Sequence, residues 1–274
     1  MEKLKQLWSS IQSNTLLRRS LTAIFAILMV LILLRACNGR IVGAPNFYRI
    51  AADGTWYPLQ LMGKEKNMMA FSDELLTAIG KEENFRAQLS VVQYRTLFEE
   101  LEGGKYDGIL SSLTPNVVTR EKYRFSDPFY LLGPVLIVPV SSPVHSLEEM
   151  GGKTIGIKSG SSVVFNIEKY PSIIIVPYDN ANDAVDSLLN NQIDGVIMEA
   201  MPAYVAVQGF YVGKLKVASN PLTLEGLRLV ANLSYRHSED MIDRFNEGLK
   251  AVHESGVYDA LLEKWGLINT ELHE

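Results

Sequence analysis

The sequence predicts an α/β fold, and three observations lead to this prediction. Short apolar runs alternate along the chain with segments of helical spacing. The runs are apolar almost throughout, which is typical of strands buried on both faces of a parallel sheet. Polar or glycine-rich residues follow several of them, at the strand ends where open α/β sheets bind ligands. The predicted strands are residues 48–52, 87–92, 107–110, 135–140, 154–157, 173–176 and 195–198.

The predicted helices are identified by apolar spacing and by the residues at their ends. Leu75 and Ile79 recur at helical spacing, and Ser72 is the predicted N-cap of their helix. Thr96 and Glu99 match the capping box that begins a helix. A C-terminal helix is predicted from one apolar face, made of Met241, Ile242, Phe245, Leu249 and Val252.

Composition excludes several classes of site. The 274 residues include 26 basic and 31 acidic ones, giving a net charge of −5, and no basic block follows the first forty residues. This pattern argues against nucleic acid as the main partner, because phosphate neutralisation needs clustered Lys and Arg. Cys37 is the only cysteine and the four histidines are scattered, so we predict no disulfide within the chain, no metal site and no cofactor.

Residues 1–37 form a predicted signal peptide or membrane anchor. Basic residues at 3, 5, 18 and 19 precede an apolar run over 21–34, which is the signal-peptide pattern. Ala36-Cys37 resembles the end of a bacterial lipobox, whose cysteine is lipidated, although Arg35 departs from that motif. An uncleaved signal anchor with an incidental Cys37 is the alternative. Either way, the positive charge before the apolar run predicts a periplasmic or otherwise extracytoplasmic body that is held at the membrane.

Four polar residues or short polar segments follow predicted strands and mark where a binding site is expected. They are Asp53, Ser111-Ser112, the segment 158–160 and Glu199. Because ligands of open α/β sheets bind outside the carboxyl ends of strands, we expect the site at these residues.

Seven segments, in this order, resemble bacterial solute-binding protein family 3, the polar amino-acid-binding proteins of ABC importers. The resemblance spans about 220 residues and implies a type II periplasmic-binding fold, with two lobes joined by two hinge crossings. The segments are residues 50–58 (IAADGTWYP), 70–75 (AFSDEL), 107–110 (DGIL), 125–130 (FSDPFY), 151–160 (GGKTIGIKSG), 249–259 (LKAVHESGVYD) and 263–266 (EKWG).

The resemblance also implies where the lobes begin and end. Lobe one is expected to hold residues 46–133 and 222–267, and lobe two residues 137–218. The crossings are expected near Gly133-Pro134 and near Asn220-Pro221. Closure of the lobes on a ligand would be a hinge motion.

Lobe-one contacts are implied by the resemblance. Asp53 and Trp56 occupy the family's first binding loop, and Tyr94 matches an aromatic on the opposite ligand wall. The alternative for the loop is an Asp-Gly turn with Trp56 packed on the core. Ser112 and Thr114 match the loop that receives the ligand α-carboxylate.

The implied carboxylate clamp does not match the family spacing. An Arg is expected five residues after Thr114, but position 119 is Thr and Arg120 comes one residue later. Arg120 is therefore the candidate clamp, and a solvated helix residue is the alternative.

Lobe two is expected to contribute an anion site and an acidic residue. Lys158 and Ser162 lie in a loop before a predicted helix, whose N-terminus could accept a carboxylate; an ordinary connection is the alternative. Glu199 matches the acidic residue that binds the ligand α-ammonium, where a solvated strand end is the alternative.

The expected function is a monomeric, non-enzymatic binding protein that delivers a glutamine- or arginine-like amino acid to an ABC permease. Two alternatives stay open. One is a cyclohexadienyl-dehydratase-like lyase on the same fold, which would need a general acid or base. The other is a sensor or binding protein for a ligand that is not an amino acid.

Overall fold

A computed structural model describes residues 46–59 and 61–271 of the chain. The predicted signal or anchor segment, including Cys37, lies outside the described residues. In the part of the chain that is described, no helix combines the length and the apolar character needed to cross a membrane.

The described chain contains ten strands and seven helices. The strands are β1 (Phe47–Asp53), β2 (Arg86–Val92), β3 (Gly108–Ser111), β4 (Tyr123–Leu131), β5 (Val135–Pro139), β6 (Thr154–Lys158), β7 (Ile174–Tyr178), β8 (Gly195–Met198), β9 (Leu215–Val217) and β10 (Gly226–Asn232). The helices are α1 (Glu65–Glu82), α2 (Tyr94–Glu102), α3 (Val164–Ile167), α4 (Ala181–Leu189), α5 (Ala200–Val205), α6 (Ser238–Glu254) and α7 (Val257–Lys264).

The strands form two five-stranded sheets, which define the two lobes. Lobe one has the order β2-β1-β3-β10-β4 and lobe two the order β7-β6-β8-β5-β9. Three parallel strands in each sheet confirm the predicted α/β alternation. Each sheet is mixed rather than parallel, however, because β10 pairs antiparallel with β3 and β4, and β5 pairs antiparallel with β8 and β9. The chain passes from lobe one to lobe two between β4 and β5, and it returns between β9 and β10.

Apolar faces explain why the helices pack where they do. Met68, Phe71 and Leu75 of α1 and Phe245 of α6 are buried in the large core on one face of the lobe-one sheet. Leu97 of α2 packs with a smaller core on the other face. Lobe two likewise carries an apolar core on each side of its sheet.

Both predicted helix starts in lobe one are wrong. Helix α1 begins at Glu65, so Ser72 is an interior residue that is almost fully buried. The apolar face extends back to Met68, and this packing outweighs the capping preference of a serine. Helix α2 begins at Tyr94, with Gln93 as N-cap, and the Thr96 hydroxyl donates to the Gln93 carbonyl at 3.2 Å.

The chain passes twice between the lobes, and the two passages lie side by side. Leu132 N donates to the Glu225 carbonyl at 2.8 Å, and Leu222 N donates to the Pro134 carbonyl at 2.8 Å. A Cβ on Gly133 would lie 2.5 Å from the Thr223 carbonyl oxygen, so only glycine allows this approach. Residues 132–134 and 218–225 thus form a narrow hydrogen-bonded ribbon, which we call the hinge ribbon.

Candidate functional site

A cavity of about 600 Å³ lies at the strand ends, next to the hinge ribbon. Lobe one and the ribbon contribute an apolar side, made of Pro58, Leu59, Leu132 and Pro134. Lobe two contributes the polar side, made of residues 158–162, the first turn of α4 with Asn180 and Asn182, and Glu199. The volume is in the usual range for a small-molecule site.

Glu199 follows the last residue of β8 and lies on the cavity wall. Its backbone carbonyl accepts from Ala203 N at 3.0 Å in the first turn of α5, which fixes the residue at the strand end. Burial raises the pKa of the Glu199 carboxyl, the charge of Glu225 raises it further, and Lys158 acts in the opposite direction. Glu199 is therefore a solvent-accessible carboxylate on the cavity wall with a raised pKa, one positive neighbour and one negative neighbour.

Lys158 ends β6, next to β8 in the sheet, and begins a loop that lines the cavity together with Glu199. The loop is held to lobe two by Ser159 N, which donates to the Tyr178 carbonyl at 2.8 Å. Gly160 turns the chain with a φ of +75°, a conformation that favours glycine. Ser162 lies on the cavity wall and is exposed, so its hydroxyl is accessible to a ligand. The helix that follows, α3, spans only four residues.

Asp53 is buried and its carboxylate serves its own turn. The carboxylate accepts from Thr55 Oγ1 at 2.6 Å, Thr55 N at 3.3 Å and Tyr57 N at 2.9 Å. These are the bonds of a turn-forming aspartate. Asp53 does not line the cavity in this structure.

Trp56 points into the core of lobe one. The side chain is 2% exposed, and its Nε1 donates to the Glu65 carbonyl at 3.1 Å. Trp56 has a φ of 57°, which reverses the chain so that Pro58 and Leu59, two and three residues later, reach the cavity wall.

Tyr94 pairs with Tyr57 at the surface of lobe one. Their ring centroids lie 4.8 Å apart in an edge-to-face arrangement, and the side chains are 40% and 59% exposed. Neither ring lines the cavity in this structure. The pair is a solvent-exposed aromatic surface formed by the loop after β1 and the start of α2.

The loop after β3 is closed by Thr119 rather than by an arginine. Thr119 Oγ1 donates to the Thr114 carbonyl at 3.1 Å, and Thr119 N donates to Asn116 Oδ1 at 2.9 Å. Arg120 is exposed and borders a separate hollow that also includes Glu239 and Asp243 of α6.

The structure brings three of the nine predicted ligand residues together at the cavity, namely Lys158, Ser162 and Glu199. It leaves six off the cavity wall: Asp53, Trp56, Tyr94, Ser112, Thr114 and Arg120. Sequence reasoning missed Leu59, Leu132, Asn180 and Asn182. Leu59 directly follows Pro58 and Leu132 lies two residues before Pro134. Asn180 is an N-cap whose side chain accepts from Asp183 N, a signal that could have been found.

The chain is similar to known proteins in both sequence and fold. The profile of the family described as bacterial extracellular solute-binding proteins, family 3, matches residues 48–268. The arginine-binding extracellular protein ArtP of Bacillus subtilis is 24% identical over 208 residues, which cover 73% of this chain and 78% of that protein. A probable histidine-binding protein of Neisseria gonorrhoeae is 24% identical over 251 residues, covering 85% and 90% of the two chains.

Two solved structures share the fold. One is the L-cystine solute receptor of Neisseria gonorrhoeae in its unliganded open conformation, with a TM-score of 0.61, 14% identity, and coverage of 86% of this chain and 100% of that one. The other is the second substrate-binding domain of a putative amino acid ABC transporter from Streptococcus pneumoniae, with a TM-score of 0.56, 24% identity, and coverage of 80% and 99%. With the family profile matching most of its length, this chain belongs to the bacterial extracellular solute-binding proteins, family 3.

Proposed function

We propose that this protein is the amino-acid-binding component of an ABC importer. The observation that carries the proposal is the placement of opposite charges, Lys158 and Glu199, on the wall of one cavity beside a hinge ribbon. The names of the relatives support it, since ArtP is an arginine-binding protein and a glutamine-binding protein of Bacillus subtilis is 23% identical over 182 residues.

The proposed recognition follows from the charges on lobe two. Glu199 accepts the ligand α-ammonium, while Lys158 and the Ser162 hydroxyl bind the α-carboxylate. Closure of the lobes would exclude water, and charge-assisted hydrogen bonds strengthen when they are desolvated. The apolar residues Leu59 and Leu132 would then cover the ligand from the lobe-one side. Contacts from Asp53, Trp56, Tyr94, Ser112, Thr114 and Arg120 stay predictions, because these residues lie off the cavity wall in this structure.

The finer features of the transport system are part of the same proposal. An ABC permease would receive the ligand from a monomeric binding protein that works outside the cytoplasm. The N-terminal segment would hold the protein at the membrane, either through a lipid on Cys37 or as an uncleaved anchor. Mass spectrometry of the mature N-terminus tests this, because a diacylated Cys37 as the first residue excludes the uncleaved anchor.

Ligand-induced thermal stabilisation tests the proposed function. The full-length protein in detergent is screened against the twenty amino acids. A ligand present at a hundred times its Kd stabilises the folded state by about 2.7 kcal/mol, which corresponds to roughly 5–10 °C in Tm. Glu199→Gln should abolish the shift, and Glu263→Gln on the exposed side of α7 is the matched control. A screen in which no amino acid raises Tm contradicts the proposal.

One observation favours the lyase alternative, so the experiment on binding should also test for catalysis. The raised pKa of Glu199 is a property that general acids and bases share. Chromatography of the ligand after long incubation separates the two functions. Recovery of the amino acid unchanged supports the binding protein, and a product that disappears in Glu199→Gln supports the lyase.

A further inference from the structure

We propose that Glu225 makes the cavity selective for amino acids that carry a second positive charge on their side chain. The inference rests on the proposed amino-acid function and deepens it by naming a ligand class. It assigns a recognition role to a residue of the hinge ribbon, which lies outside the strand ends where a site is expected.

The backbone places Glu225 on the cavity side of the hinge ribbon. Gly226 pairs with Leu131 in the antiparallel ladder, and Leu132 N donates to the Glu225 carbonyl, so Glu225 and Leu132 oppose each other. Directly opposed residues of an antiparallel pair project to the same face. Leu132 lines the cavity, and the half-buried Glu225, which does not itself line it in this structure, therefore projects to the same side of the ribbon.

Electrostatics indicates the same placement independently. The charge of Glu225 contributes to the raised pKa of Glu199, so the two carboxylates lie close enough to repel each other. They come from different parts of the molecule, Glu225 from the hinge ribbon and Glu199 from lobe two. A cation between them would lower the energy of both carboxylates.

The charge balance of the cavity indicates what kind of ligand completes it. Among the described residues that line it, Lys158 and Glu199 are the charged ones. Adding Glu225 gives one positive and two negative charges, a sum of −1. An amino acid with a neutral side chain would use Lys158 and Glu199 and leave Glu225 unpaired as the lobes close. Leaving a desolvated charge without a partner is costly.

A ligand with a cationic side chain removes this cost. Its α-carboxylate meets Lys158, its α-ammonium meets Glu199, and its side-chain cation meets Glu225. An acidic amino acid would instead bring a third carboxylate toward the first two. The same residue would therefore favour basic ligands and reject acidic ones, which is how specificity arises from differences in affinity.

Calorimetric titration of the full-length protein tests the inference. The probes are L-lysine, L-arginine, L-glutamine and L-glutamate. The expected result is that lysine or arginine binds about tenfold to hundredfold more tightly than glutamine, since a hydrogen-bonded charge pair contributes on that scale. Glutamate should bind most weakly.

Variants at position 225 test whether Glu225 is the residue that causes the preference for basic amino acids. Glu225→Gln should remove the preference, so that glutamine binds at least as tightly as lysine. Glu225→Asp keeps the negative charge and should keep the preference for basic amino acids. This variant provides a second test if Glu225→Gln fails to fold. Glu263→Gln is the matched control and should behave as the wild type.

The outcomes are distinguishable. A wild-type protein that binds glutamine or glutamate more tightly than the basic amino acids overturns the inference and leaves the proposed function standing. An unchanged preference in Glu225→Gln also overturns it. Absence of binding by any of the twenty amino acids overturns the proposed function, and the inference with it.

Discussion

The two sides of the cavity use their polar residues differently. On lobe two, Lys158 ends β6, Glu199 directly follows β8, and both line the cavity wall. On lobe one, Asp53 ends β1 and Thr119 lies in the loop after β3, but each is hydrogen bonded within its own turn. The difference teaches that a polar residue at a strand end is available to a ligand only when the local turn does not use it.

This contrast predicts a division of labour during binding. Lobe two would bind the charged groups of the ligand, and lobe one would then close over it with apolar contacts. Glu199 and Lys158 should therefore dominate affinity, while Asp53 should dominate the local stability of lobe one. Each of the following changes tests one side of the comparison.

Glu199→Gln should have the largest effect, lowering affinity for the best amino-acid ligand by about a hundredfold or more. The substitution removes the charge that accepts the α-ammonium but keeps the size of the side chain, and a hydrogen bond to a charged group contributes on this scale. Calorimetry measures the change against Glu263→Gln, whose affinity should equal that of the wild type. Equal affinities for Glu199→Gln and wild type would show that lobe two does not hold the ligand.

Acidification should weaken binding, by up to tenfold for each pH unit below the pKa of Glu199. Burial, then Glu225, raise that pKa, and Lys158 opposes them. Because the ionised carboxylate binds the ligand, affinity should fall as pH drops through the pKa of Glu199, which lies above the ordinary value for a glutamate.

The stability of the unliganded protein should depend on pH in the opposite direction, so that its free energy of unfolding rises as the pH falls. A carboxyl whose pKa is raised by folding contributes stability that is present at low pH and lost as pH rises through the raised value. Calorimetry and thermal unfolding between pH 4 and 8 measure both trends, and Glu199→Gln should flatten both. A binding profile that Glu199→Gln does not change would contradict the assignment.

Asp53→Ala should act on stability rather than on recognition. It removes the acceptor of three hydrogen bonds in a buried turn, so the free energy of unfolding should fall by about 2 kcal/mol, or roughly 4–8 °C in Tm. Affinity, measured well below the new Tm, should change by less than about threefold. Asp73→Ala, at an exposed position of α1, is the control. Lost binding with unchanged Tm would place Asp53 among the ligand contacts.

Arg120→Ala should have the smallest effect. Arg120 is exposed and borders a hollow beside α6 rather than the cavity. Surface substitutions of this kind stay within about 0.5 kcal/mol in stability, and we expect affinity to stay within about twofold. Titration with the best ligand checks this. A loss beyond tenfold would support the carboxylate clamp that the family resemblance implies.

Much of the fold could be predicted because buried strands appear in the sequence as short apolar runs. The apolar run at 195–198 coincides with β8, and the rule that sites lie at strand ends led directly to Glu199. Helix starts were less predictable, as Ser72 shows, because packing of Met68 and Phe71 extends α1 beyond the local capping signal. The short strand β9 and the antiparallel strand β10 have no strong local pattern of their own.

The orientation of adjacent aromatic residues depends on the backbone rather than on residue type. Trp56 and Tyr57 are neighbours, yet one is buried in the core and the other is exposed. The positive φ of Trp56 decides this, and no composition or spacing rule fixes such a turn for a non-glycine residue. Glu225 was missed for a different reason, since its approach to Glu199 depends on how the two passages of the hinge ribbon pair.

The hinge ribbon has one further consequence. A protein that binds only when shut has an affinity equal to the intrinsic affinity multiplied by the fraction of molecules able to shut. Gly133 sets how closely the two passages approach, because a methyl group there would collide with the Thr223 carbonyl. A larger residue at this position would thus lower the fraction of molecules able to shut, and uptake would need a higher solute concentration although no group at position 133 itself touches the solute.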